Sequence, residues 1–169
     1  MNKPRADTAA IPPGSKKIEA IRAYIAAGFA LIPLNGKRPT VTDWVNTPPG
    51  KYGEKELTGN YGVVLRAQDL VIDVDPRNFT PGDNPVTRLV AIIGPILKTY
   101  IVKTGGGGLH IYLRKPPELS IVGSLKAFPG IEFKTKGQQL VGPGSIHPES
   151  GNEYIILRGD LATCGETPL

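Results

Sequence analysis

The chain reads as an α+β domain with a mainly antiparallel sheet, and three observations carry that reading. Short apolar stretches with two-residue alternation recur from about residue 29 to residue 157, bounded by turn residues. Only two segments show clear helical character, too few to supply the crossover helices that an all-parallel sheet needs. The 21 glycines and 17 prolines are spread along the chain, which supplies frequent turns and argues against a low-complexity protein. With 169 residues and 40% hydrophobic content, the chain can bury one real core, so a single domain is expected.

The elements follow in order. Residues 1–13 read as a flexible leader, and 14–169 as the domain. Ser15 is placed to cap a helix over 16–27, with Ile18, Ile21 and Ile25 at helical spacing and Gly28 as its stop. A buried strand is expected over 29–34. Residues 35–39 form a turn carrying Lys37 and Arg38, and Trp44 lies in the loop that follows. Segments 60–65 and 70–75 read as strands joined by the short polar link 66–69, as in a hairpin. Asn84 and Pro85 suit the N-cap and first position of a helix reaching Ile93, with Gly94 after it. Residues 100–103 and 109–114 are strands flanking a four-glycine loop at 105–108. Further short strands are expected at 131–133, 139–141 and 154–157. No internal repeat is visible. The chain ends soon after its last strand, as a domain excised from a longer protein would.

The charge balance, 20 Lys and Arg against 15 Asp and Glu, gives a net charge of +5. That suits a polyanionic partner without requiring one. Cys164 is the only cysteine, so an intramolecular disulfide and a multi-cysteine zinc site are both excluded, and a reducing cytosol fits. The polar N-terminus shows neither a signal peptide nor a membrane span.

Four constellations could carry chemistry. The first is Asp73 and Asp75 in an apolar strand. Residues two apart in a strand share a face, roughly 6–7 Å apart. Aspartate is disfavoured in strand interiors, and two carboxylates at about 4 Å repel by roughly 4 kcal/mol at an effective dielectric near 20. A hard divalent cation would remove that repulsion; a solvated strand end is the alternative. The second is the run from Thr104 through Gly105, Gly106, Gly107 and Gly108 to His110. Successive glycine amides can form an anion nest, and His110 shares a face with Tyr112 and Arg114. No lysine follows as in a phosphate-binding loop that opens a helix, and a flexible hairpin turn is the plainer reading. The third is Glu132 with Lys134 on one face of a strand, either a third acid for a two-metal site or a surface pair. The fourth is the Pro- and Gly-dense loop holding Ser145 and His147, which is a rigid turn or a phosphate or sugar contact.

Taken in order, these pieces resemble the primase–polymerase (prim-pol) domain of the archaeo-eukaryotic primase superfamily, found in phage and plasmid replication proteins. The matching motifs are the acidic pair Asp73 and Asp75, then Gly108-Leu109-His110, then Glu132. A Lys-Arg-Pro turn before Trp44 and the Pro-Gly-Ser-Ile-His-Pro loop after the third acid add to the likeness, which spans roughly 15–157. The resemblance implies a small α/β unit packed on an RRM-like antiparallel unit, with the active site in the cleft between them. It implies template-dependent synthesis or extension of primers on single-stranded DNA from nucleoside triphosphates (NTP or dNTP), with two Mg²⁺ or Mn²⁺ ions. By the motif match Asp73, Asp75 and Glu132 hold the metals, and His110 contacts the incoming nucleotide. Lys103, Thr104, Gly106, Gly107, Gly108, Arg114, Lys134, Ser145 and His147 are nucleotide-binding candidates. Lys37, Arg38 and Trp44 are candidates for the DNA. Two departures stand out: the third acid is often Asp in relatives, and one cysteine with two histidines cannot build the zinc insertion some relatives carry. A monomer is expected, in the cytoplasm, or the host cytoplasm if phage-encoded. A C-terminal helical accessory domain and a helicase are expected in the full protein.

Two other readings stay open. One is a catalytically inactive DNA-binding replication-initiator module of the same fold. The other is a metal-dependent nuclease or a sugar transferase using the aspartate pair.

Overall fold

A computed structural model describes residues 13–96 and 98–164. The elements run α1 (Pro13–Ala26), β1 (Ala30–Asn35), β2 (Arg38–Pro39), β3 (Asn60–Val64), β4 (Asp69–Val74), α2 (Pro85–Ile93), β5 (Ile101–Lys103), β6 (Leu109–Arg114), β7 (Ile131–Lys134), β8 (Gln139–Val141) and β9 (Ile155–Arg158). They build two antiparallel sheets, ordered β2-β1-β3-β8 and β7-β4-β6-β5-β9. The mixed α+β class is as the sequence predicts.

Local chemistry sets the helix ends. Gly28 takes φ 84°, and the Phe29 amide donates back to Tyr24 O, so α1 stops at a left-handed glycine. Asn84 accepts from the amides of Val86 and Thr87, Pro85 fills the first helical position, and Gly94 ends α2. At the other end, α1 begins at Pro13, so Ser15 lies inside the first turn rather than at the expected cap position. The leader expected at 1–13 lies outside the described residues except for Pro13, which belongs to α1.

The strand pleat divides the core in two. Val71 of β4, Val102 of β5 and Tyr112 of β6 pack with Tyr24 of α1 and with Leu31, Tyr61 and Leu140 of the first sheet. Their neighbours Ile72, Ile101 and Ile111 face the other way and bury Leu89 of α2, together with Val74 and Ile131. Each such buried aliphatic side chain stabilises the fold by about 1.5–3 kcal/mol. The second sheet is therefore covered by α2 on one face and by the α1–first-sheet unit on part of the other. Its sequence β4-α2-β5-β6-β7, in spatial order fourth-first-third-second, is the RRM-like unit. Among the described residues no helix joins β6 to β7, and β9 extends the far edge.

One expected contact is corrected. β3 and β4 do not form a hairpin; they lie in different sheets. Both edges of β3 are taken by β1 and β8, and both edges of β4 by β6 and β7. The link 66–69 is instead a crossing between sheets. The Asp69 carboxylate accepts from the Arg66 amide and guanidinium, and Arg66 also donates to Ala27 O at the end of α1. The expected turn at 35–39 is shorter than predicted, because Arg38 and Pro39 pair back on Asn35 and Leu34 as β2.

Candidate active site

Register, rather than strand propensity, assembles the site. Asp73 on β4 lies opposite Glu132 on β7 and opposite His110 on β6, and His110 lies opposite Val102 on β5. Directly opposed residues of antiparallel strands have Cα atoms about 4.5–5.5 Å apart, so three polar side chains from three strands form one row. The hairpin that delivers His110 is held against β4 by Gly108: any Cβ there would meet Val74 O at 1.9 Å.

The row borders a cleft of about 540 Å³ between the two sheets. Three acids line it, Asp73, Asp75 and Glu132, and four cations, Lys37, Arg77, Lys126 and Lys134. Such a mixture can take a cation and polyanion together.

Charge within the row is strained. Burial pushes the Asp73 carboxyl up to about 6; Lys134 and Lys37 pull against this, while Glu132 and Asp75 add to it. The side chain keeps 26% exposure. Burial also pushes His110 down to about 3, with Lys134 and Lys37 acting in the same direction. The imidazole is neutral, so its approach to Asp73, Nε2 to Oδ1 at 3.7 Å, is not an ion pair. His110 Nδ1 is buried with no partner among the described residues. Lys134 pairs with Glu132 and stands 3.9 Å from Asp73 Oδ2.

Asp75 sits one residue past the end of β4, capping a short 3₁₀ turn over Pro76–Asn78. Arg77 grips its carboxylate at two points, Nε to Oδ1 and Nη2 to Oδ2, both 2.9 Å. Hydrogen bonding from Arg77 holds Asp75 below the ordinary carboxylate range despite partial burial. Among the described residues no three of His, Cys, Asp and Glu are gathered closely enough to hold a metal ion. Arg77 is hydrogen-bonded to Asp75, and Lys134 to Glu132.

His147 lines the same cleft. Tyr154 lies between the two histidines, 6.1 Å from the His147 ring and 6.0 Å from the His110 ring. Gly105 is required there, since a Cβ would lie 2.4 Å from His147 Cβ.

The remaining candidates separate cleanly. Thr104, Gly106, Lys134, His147 and Lys37 line the cleft with the acidic row. Gly107 and Gly108 do not, and their amides donate to Thr104 O and Thr104 Oγ1. A nest of four glycine amides is therefore not present; the loop offers the cleft the backbone of Thr104 and Gly106. Lys103 points to the face opposite Val102, and Arg114 lies at the far end of β6 opposite Asp69, so neither reaches the cleft. Ser145 is buried and its hydroxyl accepts the Tyr61 amide, a structural bond. Arg38 is exposed on β2, and Trp44 is half-buried against the first core. Sequence reasoning missed Arg77, Tyr154 and Lys126. Arg77 had a signal, a cation two residues after Asp75 beyond a proline that ends the strand.

The fold and site define a mixed α+β domain whose acids and cations share one cleft between two antiparallel sheets. A family model described as the N-terminal domain of bifunctional DNA primase/polymerase (Prim-Pol) matches residues 21–168, and the chain belongs to that family. Membership implies a nucleotidyltransferase of the DNA primase/polymerase type, with DNA and nucleotides as substrates. No curated protein matches the chain significantly. No described helix is long and apolar enough to cross a membrane.

Proposed function

We propose that the cleft is a nucleotidyl-transfer centre that makes or extends primers on single-stranded DNA from nucleoside triphosphates. The observation that carries this reading is the cross-strand row Glu132–Asp73–His110 beside a cation-lined cleft. In the reaction the primer 3′-oxygen forms a bond to the α-phosphorus, the bond from that phosphorus to the pyrophosphate oxygen breaks, pyrophosphate departs, and the hydroxyl proton passes to solvent water.

Asp73, Asp75 and Glu132 would hold two divalent cations, Mg²⁺ or Mn²⁺. Their donor set, carboxylate oxygens alone, fits a hard ion, and Asp73 is a carboxyl that resists ionisation without a counter-charge. Bound ions there would make the 3′-hydroxyl a better nucleophile and neutralise the leaving pyrophosphate. Binding requires Arg77 and Lys134 to release their carboxylates, after which both are available to phosphate. Lys37 and Lys134 neutralise the triphosphate, and His110, held neutral, contributes a hydrogen bond rather than a charge. Arg38 and Trp44 are left for the template. A monomeric state, a helical accessory domain and a partner helicase belong to the same proposal.

Primer extension in Mn²⁺ tests it. Asp73→Ala and Glu132→Ala should each abolish extension while leaving the fold intact by circular dichroism; full activity in either variant would refute the assignment. One observation favours a second reading: the closed ion pairs at Asp75 and Glu132 suit an inactive DNA-binding module. That module would bind single-stranded DNA with no nucleotide-dependent product.

A further inference from the structure

We infer that Arg77, His147 and Gly106 form the subsite for the terminal phosphate of the incoming nucleoside triphosphate. This rests on the nucleotidyl-transfer reading and adds to it where the polyphosphate tail lies and what distinguishes a triphosphate from a monophosphate.

A second chamber of about 320 Å³ opens beside the main cleft. Arg77, Gly106 and His147 line both. His147 is 2% exposed. Its Nδ1 accepts from the amides of Glu149 and Ser150, each at 3.2 Å. Two donors on Nδ1 make it the acceptor nitrogen, so the proton of the neutral ring sits on Nε2. That Nε2–H is buried and has no acceptor among the described residues. A buried, unpaired donor in a native fold calls for a partner outside the chain.

Gly106 lies between the two donors. A Cβ built on it would stand 3.4 Å from His147 Nε2 and 3.6 Å from the central guanidinium carbon of Arg77. The missing side chain leaves a gap with an N–H on one side and a guanidinium on the other. A tetrahedral oxyanion matches that pair, with the planar Arg fork taking two oxygens. Arg77 is spent on Asp75 and reaches Glu149 Oε2 at 3.3 Å. Among the described residues Glu149 is the one acid at the chamber, and its side chain is 75% exposed, so it can turn to solvent. Asp75 at one end of Arg77 and the chamber at the other mark a path from the acidic row to the phosphate subsite. A polyphosphate chain has the right form to follow it.

The test is calorimetric binding of dATP, dAMP and inorganic triphosphate in saturating Mg²⁺, to the wild type, Arg77→Ala and Gly106→Ala. The alanine at 106 makes only ordinary van der Waals contacts, so it should fold normally, as thermal unfolding would verify. In each variant dATP affinity should fall about tenfold, with dAMP affinity changing less than about twofold. Equal losses for dATP and dAMP, or none, would overturn the subsite while leaving the nucleotidyl-transfer reading standing. So would competition for Arg77-dependent binding by a 5′-phosphorylated oligonucleotide but not by inorganic triphosphate. Failure of the wild type to bind dATP or Mn²⁺ at all would instead remove the underlying reading.

Discussion

Asp73→Asn should stabilise the metal-free protein. Folding raises the Asp73 carboxyl from its ordinary 3.8 to about 6, chiefly by burial. Each pKa unit corresponds to about 1.4 kcal/mol, so an ionised Asp73 costs the folded state about 3 kcal/mol. Discounting for screening at a side chain that is 26% exposed leaves about 2 kcal/mol. The sign follows from the direction. A carboxyl with a raised folded-state pKa binds its proton more tightly when folded, so the penalty is full above about pH 6 and vanishes as pH falls toward 4. His110, pushed down to about 3, is neutral in both folded proteins across that window and drops out of the comparison. Asparagine keeps the shape and removes the charge. At pH 8 in EDTA its Tm should exceed that of the wild type by about 4–8 °C, and the gap should close near pH 4. Adding Mn²⁺ should raise the wild-type Tm and not that of the variant. The measurement is differential scanning calorimetry at the two pH values. A gap of the same size at pH 4 and pH 8, or a less stable variant at pH 8, would refute the reasoning.

Other consequences are as direct. Arg77→Ala should tighten Mn²⁺ binding severalfold in the absence of nucleotide, read by electron paramagnetic resonance, because a charge-assisted hydrogen-bonded competitor for Asp75 worth roughly 1.5–3 kcal/mol is gone. Gly108→Ala should destabilise the fold by about 3 kcal/mol in urea unfolding, since its Cβ meets backbone at Val74 O, whereas Gly106→Ala should cost less than about 1 kcal/mol. Binding to single-stranded DNA should weaken as salt rises, and on the proposed template role of Arg38, Arg38→Ala should reduce the slope of log K against log salt by about 0.7.

The polar row was legible because period two is rigid. Once 70–75, 109–114 and 131–133 read as strands, the faces of Asp73, His110 and Glu132 followed, and the structure adds only that register sets them side by side. What sequence could not supply was pairing between distant segments. The short link 66–69 suggested a hairpin, yet strand edges are claimed by whichever partner the whole sheet offers, and β3 and β4 were claimed from both sides. Side-chain state was equally hidden. Nothing in the spacing of Asp75 and Arg77 says that a 3₁₀ turn folds the guanidinium back onto the carboxylate. The glycine loop misled for a related reason: its amides look available in sequence, but Thr104 consumes two of them to close the hairpin.

Three features of the cleft are each unfavourable to the isolated chain. Asp73 is a carboxyl in a place that resists its charge, and among the described residues neither His110 Nδ1 nor His147 Nε2 has a partner. A buried polar group without a partner costs about 1–3 kcal/mol, and such groups are rare in native folds. Here all three line one cleft, while the two cores beside it are closed and apolar. Random defects of packing would be scattered through the sheets. Concentrated in one place, they mark where the fold gives up stability, and each is relieved by a ligand of definite chemistry: a cation at Asp73, and acceptor or donor atoms at the two imidazoles. A metal-bound polyphosphate satisfies cation and acceptor at once. A cation alone leaves His147 Nε2 unpaired, and an anion alone leaves Asp73 uncompensated. Binding of Mn²⁺ and dATP should therefore be mutually reinforcing in this protein, and independent binding of the two would contradict the shared-cleft reading.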